Sequence, residues 1–388
     1  MDKTAYKNLF RNLFSETCTI KFWDGEDITF GTGNSAFKII FNEPLPISDI
    51  ITNPSVTLGE AYMHKQIEID GNIKDVIEAI YNNPKSFLRN KGKLNKFIIP
   101  VKNSLQKSKK NVSFHYDIGN DFYQLWLDKT MTYSCGYFKT EADTLDQAQE
   151  NKVDYILKKL NLQEGNTLLD IGCGWGELII AAAKKYNVKA MGITLSSEQM
   201  EKANKRIEEE GLKNLAEVQL IDYRQIKDRS FDRIVSVGMI EHVGKDCLHE
   251  YFMSVNKLLN NGGISLLHCI TSLKGGNNPW LEKYIFPGGY VPSMSELVTI
   301  ITDESFHLID LESLRRHYGR TLEKWTENFE NSLPTISKMK DETFIRMWRL
   351  YLNACAASFN SGNIDIHQFV FSKGIANELP WTREYLYN

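Results

Sequence analysis

Three glycines at alternate positions, directly after a strand-like run, form the segment of the sequence best suited to holding a ligand. The run begins at Thr167, the glycines are Gly172, Gly174 and Gly176, and a helical pattern starts straight afterwards. Glycine lets the backbone pass close to a ligand at the mouth of a parallel sheet. The spacing differs from the G-x-G-x-x-G of dinucleotide-binding folds. Asp170, just before the turn, suits a ligand with a cationic amino group.

A parallel sheet must position this loop, and the chain beyond residue 144 has the pattern of one. Strand-like runs alternate with amphipathic helices, and the predicted strands cover residues 167–173, 189–195, 216–222, 231–238, 263–270, 306–314 and 367–372. This alternation predicts an α/β fold with a doubly wound, seven-stranded sheet. Residues 321–359 predict two long amphipathic helices, which we interpret as a helical lid inserted between the last two strands.

Ligands of open α/β sheets bind outside the carboxyl ends of the strands, beside the first strand. That rule groups the glycine loop with residues 194–199, Asp222, Tyr223, Glu241 and His242. Nucleotide-binding sheets usually end the second strand in Asp or Glu, which holds the ribose hydroxyls. Here Thr194 stands in that place, and Thr194 and Gln199 are candidates to share the task as neutral hydrogen-bonding groups.

Length and composition narrow the class of protein. The 388 residues are enough for two domains, and 42% hydrophobic and 24% charged residues are typical of a globular protein. A net charge of -3 gives no general reason to expect a nucleic-acid partner. The scattered cysteines, without a C-x-x-C pair, favour free thiols in a reducing compartment over disulfides or zinc. The start of the chain lacks the apolar core of a signal peptide, and no apolar run approaches the roughly 20 residues of a membrane span.

The chain before the sheet divides into two parts. Residues 1–90 mix short helical and strand-like pieces, with a helical pattern at residues 8–14 and two strand-like runs on either side of an Asp24-Gly25 turn. They predict a small N-terminal α+β accessory domain. Residues 91–114 form a basic linker, and eight basic residues with no Asp or Glu lie between Arg89 and Lys110. Two interpretations stay open for this stretch: a solvated linker, or contact with anionic lipid headgroups, where each basic residue contributes about 1 kcal/mol. Residues 115–388 form the remaining domain.

Several motifs carry a family resemblance. They lie at residues 115–120 (HYDIGN), 133–135 (YSC), 169–176 (LDIGCGWG), 192–196 (GITLS), 236–244 (SVGMIEHVG), 284–289 (YIFPGG) and 320–322 (RTL). The chain resembles the cyclopropane-fatty-acyl-phospholipid synthases, in the class I S-adenosylmethionine-dependent methyltransferase superfamily. Thr194 in place of an acid looks like that family's own pattern. The resemblance implies that S-adenosylmethionine is bound by Tyr133, Ser134, Asp170, Gly172, Gly174, Gly176, Thr194, Ser196, Gln199, Asp222 and Tyr223.

The same resemblance implies methylene transfer from S-adenosylmethionine to the cis double bond of an acyl chain in a phospholipid. An alkene is a weak nucleophile, so it must be aligned with the methyl group in a dry site. Methyl transfer leaves a carbocation on the chain, and ring closure then needs the removal of one proton. Aromatic faces stabilise a cation without capturing it, and the candidates are Tyr137, Phe138, Tyr290 and Tyr318.

The family is similar in holding a bicarbonate ion as the base that removes this proton. The matching positions here are Cys135, Glu241, His268 and Tyr318. In this arrangement the bicarbonate hydroxyl donates to Glu241, and His268 and Tyr318 donate to the other oxygens. Cys355 matches a further cysteine of the family, and a buried small hydrophobe competes with a catalytic role there.

Two rival functions stay open at this point. One is a related lipid C-methyltransferase, which leaves a methyl or methylene branch without closing a ring. The other is a non-catalytic lipid-binding protein on the same fold. For all three the resemblance implies unsaturated membrane phospholipid as the partner and a homodimer formed through the N-terminal region. We expect a cytoplasmic protein, peripherally associated with the inner face of the membrane.

Overall fold

The structure is a computed structural model that describes residues 3–86, 88, 111 and 118–387. The basic linker apart from residue 111, and residues 115–117 of the 115–120 motif, lie outside the described residues. The chain forms two compact units. Of the described residues, the first unit takes those before residue 99 together with Asn278–Ile285 and Leu322–Ile364, and the second takes the rest. The predicted lid helices therefore group with the N-terminal residues.

The described ranges contain the following regular elements. The strands are β1 Cys18–Lys21, β2 Asp27–Phe30, β3 Phe37–Phe41, β4 Ile67–Asp70, β5 Thr167–Ile171, β6 Lys189–Thr194, β7 Ala216–Leu220, β8 Phe231–Val237, β9 Leu259–Ser272, β10 Phe306–Ser313 and β11 Ile364–Lys373. The helices are α1 Lys3–Phe10, α2 Ile47–Thr52, α3 Pro54–Met63, α4 Ile73–Asn82, α5 Asn120–Tyr123, α6 Leu145–Lys159, α7 Glu177–Tyr186, α8 Ser197–Glu209, α9 Leu248–Leu258, α10 Pro279–Tyr284, α11 Met294–Asp303, α12 Arg315–Asn331, α13 Leu333–Ile336 and α14 Glu342–Asn360. None of these helices is both long and apolar enough to cross a membrane.

A four-stranded sheet in the order β2-β1-β3-β4 organises the first unit. Strands β1 and β2 pair antiparallel around the predicted Asp24-Gly25 turn, where Gly25 has φ +90°. The predicted helix at residues 8–14 is wrong in its bounds, because α1 ends at Phe10. Tyr6 and Phe10, four residues apart, are both buried and define the apolar face of α1. Leu13 packs into the same core after the helix has ended.

Helix α14 is joined to the rest of the first unit by a buried arginine. Arg346 donates from Nε to the Tyr62 carbonyl at 2.5 Å and from Nη2 to the Ile67 carbonyl at 3.1 Å. Its Nη1 lies 3.0 Å from the Glu68 carboxylate, and the guanidinium lies 4.0 Å from the centre of the Tyr62 ring. A planar group with five donors suits two carbonyls and a carboxylate at once.

The second unit is built on a seven-stranded sheet in the order β10-β11-β9-β8-β5-β6-β7, and the predicted α/β fold is confirmed. Strands β9, β8, β5, β6 and β7 are parallel, and β10 pairs antiparallel with β11. The predicted bounds of β9 are too short, because the strand continues through a bulge to pair Leu259 with Phe231. Chain order reverses direction beside β5, so the carboxyl end of β5 opens at a topological switch point.

Substitution of Arg346 by methionine should lower the free energy of unfolding by about 3 kcal/mol, because two buried carbonyls and a carboxylate lose their donor. Equilibrium urea unfolding measures the change. The matched control is Lys324→Met, which removes an ion pair that Lys324 makes with Glu327 within one helix. That exposed pair should be worth less than about 0.5 kcal/mol. Equal losses in the two variants would contradict the assigned role of Arg346.

Candidate active site

The glycine loop follows β5, and its three glycines serve different purposes. All three have positive φ, at +86°, +54° and +83° for Gly172, Gly174 and Gly176. A Cβ on Gly172 would lie 2.9 Å from the Met239 Cβ, and one on Gly176 would lie 3.1 Å from the Ala203 Cβ. A Cβ on Gly174 would meet no described atom within 4 Å. Gly172 and Gly176 therefore permit close packing, and Gly174 leaves its backbone open to a ligand.

An open cleft lies at this end of the sheet. The predicted cofactor residues in its lining are Tyr133, Ser134, Asp170, Gly172, Gly174, Thr194, Gln199, Asp222 and Tyr223. Gly176 and Ser196 are outside the lining. Ser196 instead caps α8, with its hydroxyl accepting from the Gln199 N–H at 3.3 Å. Residues from four separate segments, at 133–134, 170–174, 194–199 and 222–223, thus meet in one cleft.

The two neutral residues predicted to replace the usual carboxylate contact each other. The Thr194 hydroxyl donates to the Gln199 side-chain oxygen at 2.7 Å and accepts from the Ser196 N–H at 3.2 Å. Both Thr194 and Gln199 are buried. The helix cap and the end of β6 therefore form one rigid hydrogen-bonded corner of the cleft.

Asp170 and Lys152 give the cleft its electrostatic character. Asp170 is buried, and its Oδ1 has no hydrogen-bond partner among the described residues. Burial raises the pKa of Asp170 to about 7, although the charge of Lys152 opposes this shift. Lys152 is 3% exposed and donates from Nζ to the Ser134 hydroxyl at 2.8 Å. Burial lowers the pKa of Lys152 to about 8.

Sequence reasoning missed Lys152 and its neighbour Gln149. Both belong to α6, on the buried face that also carries Leu145, Ala148, Val153 and Ile156. The Gln149 amide donates to the carbonyls of residues 132 and 134, at 3.2 and 2.8 Å. Two polar residues on the apolar face of a predicted helix indicate buried side chains with specific partners, because a lysine is buried only when it is paired. This pattern could have identified Gln149 and Lys152 from the sequence.

Arg224 is a second lining residue that sequence reasoning missed. Its Nε and Nη2 each lie 2.8 Å from a carboxylate oxygen of Asp222, in a bidentate pair. The guanidinium also lies 5.3 Å from the centre of the Tyr223 ring. Asp222 and Tyr223, both predicted to bind the cofactor, are therefore held in place by one arginine two residues from Asp222.

Glu241 and His268, two of the four predicted bicarbonate ligands, attach to the same part of β9. Glu241 lies in a short 3₁₀ turn after β8, and its Oε1 accepts from the Ile270 N–H at 2.6 Å. His268 is fully buried, and its Nδ1 lies 3.0 Å from the Gln368 amide nitrogen. Glu241 Oε2 and His268 Nε2 are both buried and have no partner in the described part of the chain. Burial raises the pKa of Glu241 to about 7 and lowers the pKa of His268.

The other two predicted ligands, Cys135 and Tyr318, meet at one carbonyl group. The Leu314 carbonyl lies 4.0 Å from the Cys135 sulfur and accepts from the Tyr318 N–H at 3.1 Å. The Cys135 thiol is fully buried, and burial raises its pKa. Cys135 also directly follows Ser134 of the cleft. Glu241 and His268 are therefore positioned by β9, and Cys135 and Tyr318 are positioned at the beginning of α12.

Cys355 belongs to helix α14, which is part of the first unit. Burial raises the pKa of its thiol to about 12, so that it is protonated at neutral pH. A protonated thiol is a weak nucleophile. A catalytic role for Cys355 stays a prediction.

Two of the aromatic candidates for stabilising a carbocation already contact other side chains. The Tyr137 ring stacks on Tyr155 at 4.4 Å and on His317 at 4.8 Å, so that both of its faces are covered. The Arg320 guanidinium lies 5.2 Å from the centre of the Phe138 ring. The faces of Tyr137 are therefore not available to a cation, and the interpretation of Phe138 as a cation-facing ring stays a prediction. Both rings pack against the beginning of α12.

The cleft fits S-adenosylmethionine, because a buried acidic oxygen and an exposed glycine backbone lie together at the switch point of the sheet. The fold and this cleft define a class I S-adenosylmethionine-dependent methyltransferase. The family model described as mycolic acid cyclopropane synthetase matches residues 103–369, and the chain belongs to that family. A second model, for a domain of unknown function, matches residues 5–92.

Relatives and solved structures agree with this assignment. The chain is 44% identical over 271 residues, 69% of each chain, to a cyclopropane-fatty-acyl-phospholipid synthase of Escherichia coli. It is 38% identical over 382 residues, 95% of each chain, to a probable fatty acid methyltransferase of Pseudomonas putida. The structure of the cyclopropane synthase MmaA2 from Mycobacterium tuberculosis has a TM-score of 0.66 at 35% identity. That match covers 68% of this chain and 98% of the other.

Binding of S-adenosylmethionine should strengthen as the pH rises from roughly 6 to 9. Asp170 gains its negative charge near its pKa of about 7, and Lys152 loses its positive charge near its pKa of about 8. Both changes favour a cationic ligand. Asp170→Asn should weaken binding about tenfold at pH 8 and remove the part of the rise around pH 7. Isothermal titration calorimetry at several pH values measures both effects.

The matched control for this titration is Glu201→Gln, which removes an exposed carboxylate from α8. It should reproduce the wild-type pH profile. Comparison of the proteins at each pH cancels the ligand's own ionisation, which is the same in every titration. An Asp170→Asn profile parallel to that of the wild type would contradict the assigned role of Asp170.

Proposed function

We propose that this protein transfers a methylene group from S-adenosylmethionine to the cis double bond of unsaturated acyl chains in membrane phospholipids, forming a cyclopropane ring. The observation that carries the proposal is the pair of buried atoms without partners, Glu241 Oε2 and His268 Nε2. An acceptor and an imidazole nitrogen attached to one strand suit a small oxyanion with a hydroxyl group. The named activity of the Escherichia coli relative supports the same reaction.

The methyl donor would be held by the lining of the cleft. When bound, S-adenosylmethionine supplies an electrophilic methyl group. Asp170 attracts its positive charge, Gly174 leaves room for close approach, and Thr194 with Gln199 forms the corner beside β6. Lys152 holds the Ser134 hydroxyl in place. Asp170, Thr194 and Gln199 are buried, and burial strengthens their electrostatic contacts.

Bicarbonate would be held by Cys135, Glu241, His268 and Tyr318, where it supplies a weak base for the proton released on ring closure. A weak base is required because a strong nucleophile would trap the carbocation. Glu241 would accept a hydrogen bond from the ion's hydroxyl group, and His268 would donate one from a neutral imidazole. The buried Cys135 thiol keeps its proton and offers no competing nucleophile, since burial raises its pKa.

The lipid substrate and the assembly state complete the proposal. We propose that the N-terminal domain and the basic linker engage anionic headgroups, that the enzyme works as a homodimer, and that it attaches peripherally to the cytoplasmic face of the membrane. An acyl chain must leave the bilayer to reach a cleft at the sheet. The predicted lid helices α12 and α14 are the proposed route for that chain.

A second candidate function is transfer of a methyl group to a fatty acyl chain without ring closure. The observation that favours it is the Pseudomonas putida relative, a probable fatty acid methyltransferase that matches 95% of this chain. The two functions share cofactor, fold and carbocation and differ only in how the cation loses its proton. A non-catalytic lipid-binding protein would need neither the cofactor cleft nor the buried Glu241 and His268.

Product analysis separates these functions. The purified protein should convert vesicles of a cis-unsaturated, partly anionic phospholipid into cyclopropane phospholipid when S-adenosylmethionine labelled in the methyl group is supplied. Gas chromatography with mass spectrometry identifies the labelled acyl chains. Methyl or methylene branches would establish the second function, and the absence of label with wild-type protein that binds S-adenosylmethionine would overturn both enzymatic proposals.

Glu241→Gln tests the proposed base site. The variant should bind S-adenosylmethionine as tightly as wild type and lose turnover by at least about 100-fold, because the hydroxyl of the bound anion loses its charged acceptor. Depletion of bicarbonate should reduce the rate of the wild-type protein and leave the residual rate of the variant unchanged. Glu201→Gln is the matched control and should behave as wild type. Full activity of Glu241→Gln would exclude Glu241 from the reaction.

A further inference from the structure

A buried glutamine contacts one of the two ring nitrogens of His268. Gln368 lies on β11, which neighbours β9 in the sheet. Both side chains are 0% exposed, and the Gln368 amide nitrogen lies 3.0 Å from His268 Nδ1. An amide nitrogen only donates hydrogen bonds, so Nδ1 must accept. The proton of a neutral imidazole is then on Nε2.

The imidazole of His268 stays neutral in this environment. Its burial lowers the pKa first, and the charges of Lys152 and Lys159 lower it further. A neutral histidine has one donor nitrogen and one acceptor nitrogen, and the hydrogen bond at one nitrogen fixes the role of the other. The choice between the two tautomers therefore depends on the group facing Nδ1.

The tautomer determines what the unpartnered side-chain atoms of His268 and Glu241 can bind. With the proton on Nε2, His268 presents an N–H donor that has no partner among the described residues. Glu241 Oε2 is an acceptor that is also buried and without a partner among the described residues. A donor and an acceptor together match an oxyanion that has both a charged oxygen and a hydroxyl. The opposite tautomer would present a lone pair to the charged oxygen and repel it.

We propose that Gln368 is a positioning residue that fixes His268 in the Nε2–H tautomer, so that His268 and Glu241 offer one donor and one acceptor to a hydroxyl-bearing oxyanion. This inference rests on the proposed function for the identity of the anion as bicarbonate. The tautomer itself is a property of the resting protein and needs no turnover to be observed.

His367, the neighbour of Gln368 in β11, provides a matched control. Adjacent residues of a strand point to opposite faces of the sheet. His367 Nδ1 lies 2.8 Å from the Thr271 hydroxyl, and its ring is largely buried. His367→Asn therefore disturbs the same strand to a similar extent while leaving the contact between Gln368 and His268 intact.

The first test is nuclear magnetic resonance of full-length protein labelled with ¹⁵N at histidine. Long-range ¹H–¹⁵N correlations distinguish the two tautomers, and the signals that disappear in His268→Asn are those of His268. Wild type and His367→Asn should show His268 with its proton on Nε2. Gln368→Met, which keeps the side-chain length and removes the donor, should show a substantial Nδ1–H population. A wild-type spectrum with the proton on Nδ1 overturns the proposal even if Gln368→Met does not fold.

The second test is steady-state kinetics with varied bicarbonate. Gln368→Met should lower kcat and the apparent affinity for bicarbonate by about tenfold or more, as is typical when the partner of a functional histidine is removed. The KM for S-adenosylmethionine should stay within about twofold of wild type, because Gln368 lies outside the cofactor cleft. A loss confined to the KM for S-adenosylmethionine, or an unchanged bicarbonate dependence, would overturn the proposal.

The two tests separate failure of this inference from failure of the proposed function. If the wild-type protein forms no cyclopropane product but Gln368→Met still shifts the tautomer, then the proposed function is wrong and the positioning role stands. If the wild-type protein is active and the tautomer is the same in Gln368→Met, then the positioning role is wrong and the proposed function stands.

Discussion

The removal of water from the carboxyl ends of the central strands is the constraint on which the active site depends. Asp170, Glu241, His268 and Lys152 have side-chain atoms that are shielded from solvent, and burial is the largest cause of the pKa shift of each group. Burial moves the pKa values of Asp170, Glu241 and Lys152 close to neutral pH, and it keeps the imidazole of His268 uncharged. A change in the charge of a bound ligand can therefore change the protonation of these groups at neutral pH. Solvent-exposed groups with ordinary pKa values would respond much less.

Burial of polar groups is tolerated only when most of their hydrogen bonds are made. Lys152 donates to the Ser134 hydroxyl, Gln149 holds the carbonyl of the same residue, and Arg224 grips Asp222 through two bonds. The buried atoms without a partner among the described residues include Asp170 Oδ1, Glu241 Oε2 and His268 Nε2. Those three atoms are the ones that the proposed reaction uses. The hydrogen-bonded side chains around them hold the site rigid, and these three atoms remain available to ligands.

The sequence predicted the sheet well because strand periodicity and the glycine loop are local signals. The seven strands of the second unit, the Asp24-Gly25 hairpin and most of the cleft lining could be read from short segments. The contacts that hold the site could not, because they join residues far apart in the chain: Gln368 to His268, Lys152 to Ser134 and Arg346 to Tyr62. The stack on Tyr137 was also out of reach, since it brings together α6 and α12. The predicted boundary at the basic linker stays a prediction, because that segment lies outside the described residues.

Two hydrogen bonds at the beginning of α12 fix the backbone position of Tyr318. Helix α12 begins in the second unit, and its residues from Leu322 onward belong to the first. Its first turns are tied within the second unit by two side chains: His317 Nδ1 accepts from the Phe138 N–H at 3.1 Å, and the Thr321 hydroxyl accepts from the Gly136 N–H at 3.0 Å. Tyr318 lies between these two anchors. Its backbone is therefore held by the same segment that carries Cys135, so that two proposed ligands of one anion are positioned together by contacts within the methyltransferase sheet unit.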